Sequence, residues 1–173
     1  MRGPDAGRLP GSGNVFNALS KAHAGATCGR GAQDHGIGRS RGGLTTGIHV
    51  AVDALGRPVR LIAAAGQRGE RPQAAARLGG LEDVGHVITD VAQGTGPLRE
   101  KIGQDRGAEA HIRAKPSRAI KPSFDPHIFT KRHKVENVLQ RIKRFRCIAR
   151  RCEKTLTSFM GFVFLAAALD WMR

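Results

Sequence analysis

The pattern of apolar and polar residues is weak at the start of the chain and clear after residue 44. Residues 1–43 hold 11 of the 23 glycines and show almost no hydrophobic periodicity, which predicts loop or disorder. Two strand candidates follow, at residues 45–52 and 58–63. The short turn sequence at 53–56 joins them, so this part of the chain is predicted to form a hairpin.

The remainder of the chain mixes helical and strand periods. Residues 71–81 and 97–105 predict helices, residues 84–90 and 108–113 predict strands, and residues 115–126 predict an extended connector. Two further helices are predicted at 126–145 and 156–172. A hairpin followed by alternating helices and strands indicates a layered α/β domain, which we assign to residues 44–173.

The predicted helix at 126–145 has two distinct sides. Apolar residues at helical spacing form one stripe: Ile128, Val135, Val138, Leu139 and Ile142. At about 100° per residue, four residues beside the stripe fall within an arc of roughly 60°: Phe129, Arg132, Glu136 and Lys143. A single carboxylate held among cations suits metal and phosphate chemistry, and Glu136 is therefore a candidate site residue.

Basic charge dominates the composition. The formal net charge is +15, and residues 113–154 hold 14 Lys and Arg against three acids, so a polyanion such as nucleic acid is the expected partner. A non-enzymatic basic nucleic-acid-binding protein has the same signature and remains an alternative. Residues 38–43 are predicted to form a flexible basic loop, which is either a phosphate contact or a solvated linker. The candidate DNA-contacting residues are Arg39, Arg41, Lys131, Arg132, Lys134, Arg141, Lys143, Arg144 and Arg146.

The cysteines, the histidines and the most apolar run argue against a zinc or disulfide framework, a histidine metal site and a membrane span. Three cysteines without C-x-x-C spacing disfavour zinc and disulfide frameworks and fit a reducing cytoplasm. The seven histidines are scattered, so we expect no metal-ligand cluster among them. The most apolar run, residues 159–169, is too short to span a bilayer and predicts a buried closing helix rather than a membrane partner.

Asp90 is the second candidate acid. It ends a predicted strand, whereas Glu136 lies on a later helix. Carboxylates in these two places can converge on paired Mg²⁺ ions about 3.5–4 Å apart, which clamp both oxygens of a phosphoryl transfer. The ordinary alternative is that Asp90 caps the loop that follows it.

Several sequence motifs resemble one known family. They are GRSRGGLTT at 38–46, IHVAVDALGRPVRL at 48–61, VITD at 87–90, RHKVEN at 132–137 and RIKRF at 141–145. Over residues 20–173 the chain resembles the C-terminal catalytic portion of bacterial insertion-sequence transposases of the DDE superfamily. The resemblance implies an RNase H-like fold, a mixed sheet flanked by helices, that is incomplete at its N-terminus.

The resemblance also implies roles for individual residues. The family's Tyr, Arg, Glu and Lys signature falls on Phe129, Arg132, Glu136 and Lys143. Asp90 and Glu136 would be the second and third catalytic acids and the Mg²⁺ ligands, and Arg132 and Lys143 would hold DNA phosphates or orient Glu136. The implied partners are DNA at the element ends and at the target, with a second copy or a separately encoded N-terminal part as further possibilities.

Departures from the family pattern are equally informative. The first acid of the family would fall at about Phe16, and neighbouring Asn14 and Asn17 are poor metal ligands. Asp53 falls in the predicted hairpin turn, so we expect it to be structural. Phe129 lacks the phenol of the signature tyrosine. These differences predict a degenerate or truncated transposase with impaired catalysis, unless a frameshift fusion supplies the missing Asp.

Overall fold

A computed structural model describes residues 11–22, 26, 35–41, 43–66, 84–89, 96–112 and 125–173. The strands of this part of the chain are β1 (Gly11–Ala22), β2 (Gly38–Ser40), β3 (Gly43–Val52), β4 (Pro58–Ala65), β5 (Val84–Thr89), β6 (Glu109–Ile112) and β7 (Arg150–Arg151). Its helices are α1 (Gly96–Arg106), α2 (Pro126–Thr130), α3 (His133–Lys143), α4 (Arg146–Ala149) and α5 (Leu156–Trp171).

The strands belong to one mixed sheet with β1 at its centre. The order is β2-β3-β1-β5-β6, with β4 also paired to β3 and β7 to β1. β1 is antiparallel to β3, β3 is antiparallel to β4, and β1 is parallel to β5. β6 adds a further parallel strand beside β5. An antiparallel half and a parallel half therefore meet at β1.

Helices cover both faces of this sheet because the strands alternate their apolar side chains. On one face Val50 of β3 packs in a core that Val138 of α3 and Val163 of α5 share. On the other face Ala51 of β3 packs with Ile102 of α1. The predicted α/β class, a mixed sheet with flanking helices, is confirmed at this level.

Residues 1–43, predicted to be mostly loop or disorder, contain two strands in the part that the structure describes. β1 and β2 lie in this region, and β1 is the central strand. In the basic segment, residues 38–40 form β2, which pairs with the start of β3 so that Ser40 lies opposite Gly43. Glycines and asparagines interrupt the apolar alternation of β1, so its local pattern gave no strand signal.

The single helix predicted at 126–145 is divided into α2 and α3. Thr130 Oγ1 donates to the carbonyl of His127 at 2.6 Å, and His133 Nδ1 lies 2.8 Å from the carbonyl of Thr130. These side chains occupy carbonyls that a continuous helix would use. Between the helices, backbone bonds run from residue i to i−3, as at Lys131 and Arg132, which tightens the chain into a turn.

Most other predicted elements are present. The 53–56 turn is confirmed, and Asp53 is structural: its carboxylate accepts from the amides of Leu55 and Arg57, both at 2.9 Å. The strands at 84–89 and 109–112 and the helix at 96–106 agree with the prediction to within about two residues. The helix predicted at 71–81 and nearly all of the connector at 115–126 lie outside the described residues.

The closing helix α5 is present, but only one side of it is buried. Phe159 and Val163 are fully buried, whereas Phe164 and Leu165 are more than half exposed. The expectation of a buried helix was therefore half wrong. Among the helices in the described ranges, none is long and apolar enough to cross a membrane.

Candidate active site and nucleic-acid interface

Three of the four signature positions contact one another at the junction of α2 and α3. Arg132 Nη2 lies 3.0 Å from Glu136 Oε1, and the Arg132 guanidinium lies 5.8 Å from the centre of the Phe129 ring. Glu136 stands in the first turn of α3, where the helix dipole favours a carboxylate. Its side chain is 39% exposed. Arg132 therefore holds the carboxylate in place without closing it off from solvent.

Lys143 stands on the same flank of α3 as Glu136, two turns further along. It is half-buried, and burial lowers the pKa of its amine below the ordinary lysine value. Its role in a site with Glu136 stays a prediction.

The opposite flank of α3 faces the rest of the protein. Lys134 Nζ donates to the carbonyl of Ala54 in the β3–β4 turn at 2.5 Å. Arg141 forms a two-pronged ion pair with Asp170 of α5, at 2.5 and 2.9 Å, and this hydrogen bonding raises the pKa of Arg141. Both were candidate DNA contacts. In this structure they fasten α3 to the hairpin and to α5.

The remaining candidate DNA contacts outside the signature are exposed to solvent. They lie in two places, at the β2–β3 hairpin and along the segment from α2 to α4: Arg39, Arg41, Lys131, Arg144 and Arg146. Exposure makes these side chains available to a phosphate backbone. Their role as DNA contacts stays a prediction.

Sequence reasoning missed a basic groove near the end of the sheet. Lys21 and Ala22 of β1, Leu44 of β3, and Ala149 and Arg150 line it. Because β7 pairs with the end of β1, Lys21 and Arg150 meet although they are far apart in sequence. The two-residue strand β7 gave no pattern that could predict this pairing.

Asp90, the other candidate acid, lies outside the described residues. Thr89, the residue before it, pairs with Val15 of β1 in parallel register. Phe16 is therefore the next position along β1, and it pairs with Val50 of β3 on its other side. The position that the resemblance assigns to the first acid thus lies one residue beyond the end of the β1–β5 ladder.

A histidine cluster that the sequence analysis did not expect lies on β5 and β6. His86 Nδ1 and His111 Nε2 are 3.0 Å apart, and the carboxylate of Glu109 lies 3.6 Å from both. The histidines are 25 residues apart in sequence, and the pairing of the two parallel strands brings them together. Burial lowers the pKa of His111, which favours its neutral form. The prediction of scattered histidines without a ligand cluster was wrong.

Comparisons with known proteins agree with the sequence motifs. The family model for the transposase DDE domain matches residues 18–171. A protein of Brucella ovis, named as a candidate transposase for insertion sequence element IS6501, is 45% identical over 130 residues, which is 75% of this chain and all of that relative. No solved structure matches the chain. The chain belongs to the DDE transposase family.

Proposed function

We propose that this chain is the catalytic portion of a DNA transposase with an RNase H-like fold, in which Asp90 and Glu136 are the surviving metal-binding acids. The observation that supports it best is the Arg132–Glu136 pair at 3.0 Å, with Phe129 beside it. The sheet order supports the fold, since a central strand separates an antiparallel hairpin from two parallel strands. Family membership supports the reaction, which is cleavage and joining of DNA phosphodiesters.

The donor atoms are of the kind that Mg²⁺ takes. Glu136 offers a half-exposed carboxylate, and Mg²⁺ binds oxygen ligands while keeping several waters. Asp90 would supply the second carboxylate. When bound, Mg²⁺ contributes charge stabilisation for an in-line phosphoryl transfer. Arg132 positions Glu136 through their ion pair, and we assign Lys143 to the phosphates of the DNA.

Catalysis by this chain alone should be impaired. The position of the first acid in the family falls at Phe16, whose side chain has no atom that could bind a metal ion. Two carboxylates in place of three bind Mg²⁺ more weakly and leave it more freedom of position. We therefore propose that the chain binds element-end DNA and cleaves it poorly or not at all.

A binding assay with Glu136→Gln separates this proposal from a merely basic DNA-binding protein. The substitution removes a negative charge and frees Arg132, so DNA affinity without metal should rise or stay equal. Any gain in affinity on adding Mg²⁺ should be lost. Fluorescence anisotropy of labelled DNA from the ends of the element, with and without Mg²⁺, measures both effects.

Glu100→Gln is the matched control, because this exposed acid lies on α1, on the other face of the sheet. It makes the same charge change far from Glu136, and the response to Mg²⁺ should survive it. If the two variants respond to Mg²⁺ alike, the metal does not act through Glu136. The non-enzymatic alternative would then be the better description.

A further inference from the structure

Strand pairing brings three metal-ligating side chains to one face of the sheet. His86 of β5 lies directly opposite Glu109 of β6, and Ile88 lies opposite His111. Because side chains alternate along a strand, residues 86, 109 and 111 all project from the same face. Their ligand atoms lie within 4.8 Å of one another.

The spacing of these atoms is close to that of a tetrahedral metal site, with the two histidine nitrogens about 0.3 Å nearer than the ideal. The triangle has one side of 3.0 Å, between the two histidine nitrogens, and two of 3.6 Å, from Glu109 to each of them. Zinc bonds to nitrogen and oxygen are about 2.0–2.2 Å long, which sets neighbouring tetrahedral ligands roughly 3.3–3.6 Å apart. An ion about 2.1 Å from all three atoms would lie roughly 0.7 Å out of their plane, as a tetrahedral ion does, so it fits with little movement.

We propose that His86, Glu109 and His111 form a binding site for a divalent transition metal ion such as Zn²⁺. Imidazole nitrogens favour zinc and its neighbours over Mg²⁺, which takes oxygen ligands. Two histidines, one glutamate and an open fourth position are an established zinc ligand set. The site shares no residue with the proposed Mg²⁺ ligands, Asp90 and Glu136.

Burial supports a built site rather than a chance meeting of surface groups. His111 is fully buried, the side chain of His86 is one-third exposed, and that of Glu109 is 65% exposed. The three ligands thus range from exposed to buried, and an ion could reach them from the exposed side, where Glu109 lies. A fixed, buried imidazole costs little further side-chain ordering on binding.

Metal binding should also change the start of α2. In the structure the backbone amide of Asp125 donates to His111 Nδ1 at 3.2 Å, so neutral His111 carries its proton on Nε2 and donates to His86. A metal ion on Nε2 moves that proton to Nδ1. The N–H of His111 Nδ1 would then face the backbone N–H of Asp125, so their hydrogen bond must break.

Calorimetric titration of the full chain with Zn²⁺ tests the site. We expect one ion per chain, and a Kd raised at least about tenfold by Glu109→Gln and by His86→Gln, each of which removes one ligand. His133→Gln is the control, because His133 is an exposed histidine on α3, and it should leave the Kd unchanged. The thermal midpoint of each variant confirms folding. Binding equal in all variants, for instance through Cys147 and Cys152, would overturn the proposal, as would no binding at 100 μM Zn²⁺, roughly the weakest affinity expected of such a site.

A second readout distinguishes an ion on His111 from one held at the surface. In ¹H–¹⁵N correlation spectra, the Asp125 amide should shift on adding Zn²⁺, because its acceptor is lost. At a zinc concentration near the Kd of the native chain, the shift should be much smaller in Glu109→Gln. A Zn²⁺ titration that saturates without moving the Asp125 amide would contradict the assigned ligand set.

Discussion

At the residue scale, cations that are close in sequence lie in different environments, some in ion pairs and some exposed to solvent. Arg141 pairs with Asp170, whose side chain is only 5% exposed, whereas Arg144 is exposed at the end of α3. Sequence alone could not separate them, because both lie in one dense basic run. The separation depends on α5, which returns to α3 from a different part of the chain.

Arg144→Met should therefore change the salt dependence of DNA binding, whereas Arg141→Met should change the stability of the fold. Loss of one phosphate contact at Arg144 should lower the slope of log affinity against log salt by about 0.9, with little change in stability. Loss of Arg141 leaves Asp170 without its partner and should cost about 1–3 kcal/mol of unfolding free energy, with the salt slope unchanged. DNA titrations at several salt concentrations, together with thermal melts, measure both. A similar salt slope for the two variants would contradict the assignment.

Arg151 is a second case in which neighbouring arginines differ. It is fully buried and donates to Thr46 Oγ1 at 2.7 Å and to the carbonyls of Glu153 and Lys154. Its guanidinium also lies 5.0 Å from the centre of the Phe159 ring. One side chain thus ties β3, α5 and the segment between β7 and α5 together.

Replacing Arg151 by Met should lower the free energy of unfolding by about 2–4 kcal/mol, because the buried Thr46 hydroxyl and two partly buried carbonyls lose their donor. The neighbouring Arg150 is exposed, so Arg150→Met is the matched control, with an expected change within about 0.5 kcal/mol. Urea denaturation of the two variants gives the comparison. Equal midpoints would show that the buried network contributes nothing to stability.

At the element scale, the buried face of α3 was easier to predict than the boundaries of the helix. Val135, Val138, Leu139 and Ile142 are all buried, as their helical spacing predicted. The break after α2 was not predictable from that pattern, because it depends on side chains that compete for backbone carbonyls near Thr130. Arg132 and Glu136 are in contact despite the break between α2 and α3. The error in the helix boundaries therefore does not separate these two candidate site residues.

The contact of α3 with the β3–β4 turn predicts a sensitive glycine. Gly56 has φ +83°, and a Cβ there would lie 3.3 Å from Cβ of Lys134. Gly56→Ala should therefore lower the free energy of unfolding by about 1–2 kcal/mol. Gly103 of α1 has open space around it, so Gly103→Ala should raise stability by about 0.5–1 kcal/mol. Thermal melts compare the two; stabilisation by Gly56→Ala would contradict the described turn.

At the scale of the whole molecule, the hardest element to predict was the most important one. β1 has glycines at 11 and 13 and asparagines at 14 and 17, so its sequence resembles a loop. Its strand character comes from pairing with β3 and β5, which are distant in sequence. The family resemblance nevertheless assigned the first acid to Phe16, within this strand. That assignment rests on motif spacing and stays a prediction, whereas the strand itself could not be predicted from local periodicity.

The sheet register gives that assignment a physical basis. Val15 lies opposite Thr89, the last residue of β5, in parallel register, and Phe16 is the next residue along β1. Adjacent parallel strands lie about 4.8 Å apart, which is within the span of two carboxylates that share metal ions. We therefore propose position 16 as the place where a new acid would restore the metal site of the proposed function.

The substitution Phe16→Asp tests most directly whether this transposase lacks only its first acid. With labelled element-end DNA and Mn²⁺ or Mg²⁺, the variant should nick the DNA on the order of 100-fold faster than the native chain. The double variant with Glu136→Gln should return to the native rate, and thermal melts should confirm that each protein is folded. A folded Phe16→Asp protein without nicking activity, or a native chain that already cleaves in a Glu136-dependent manner, would contradict the claim.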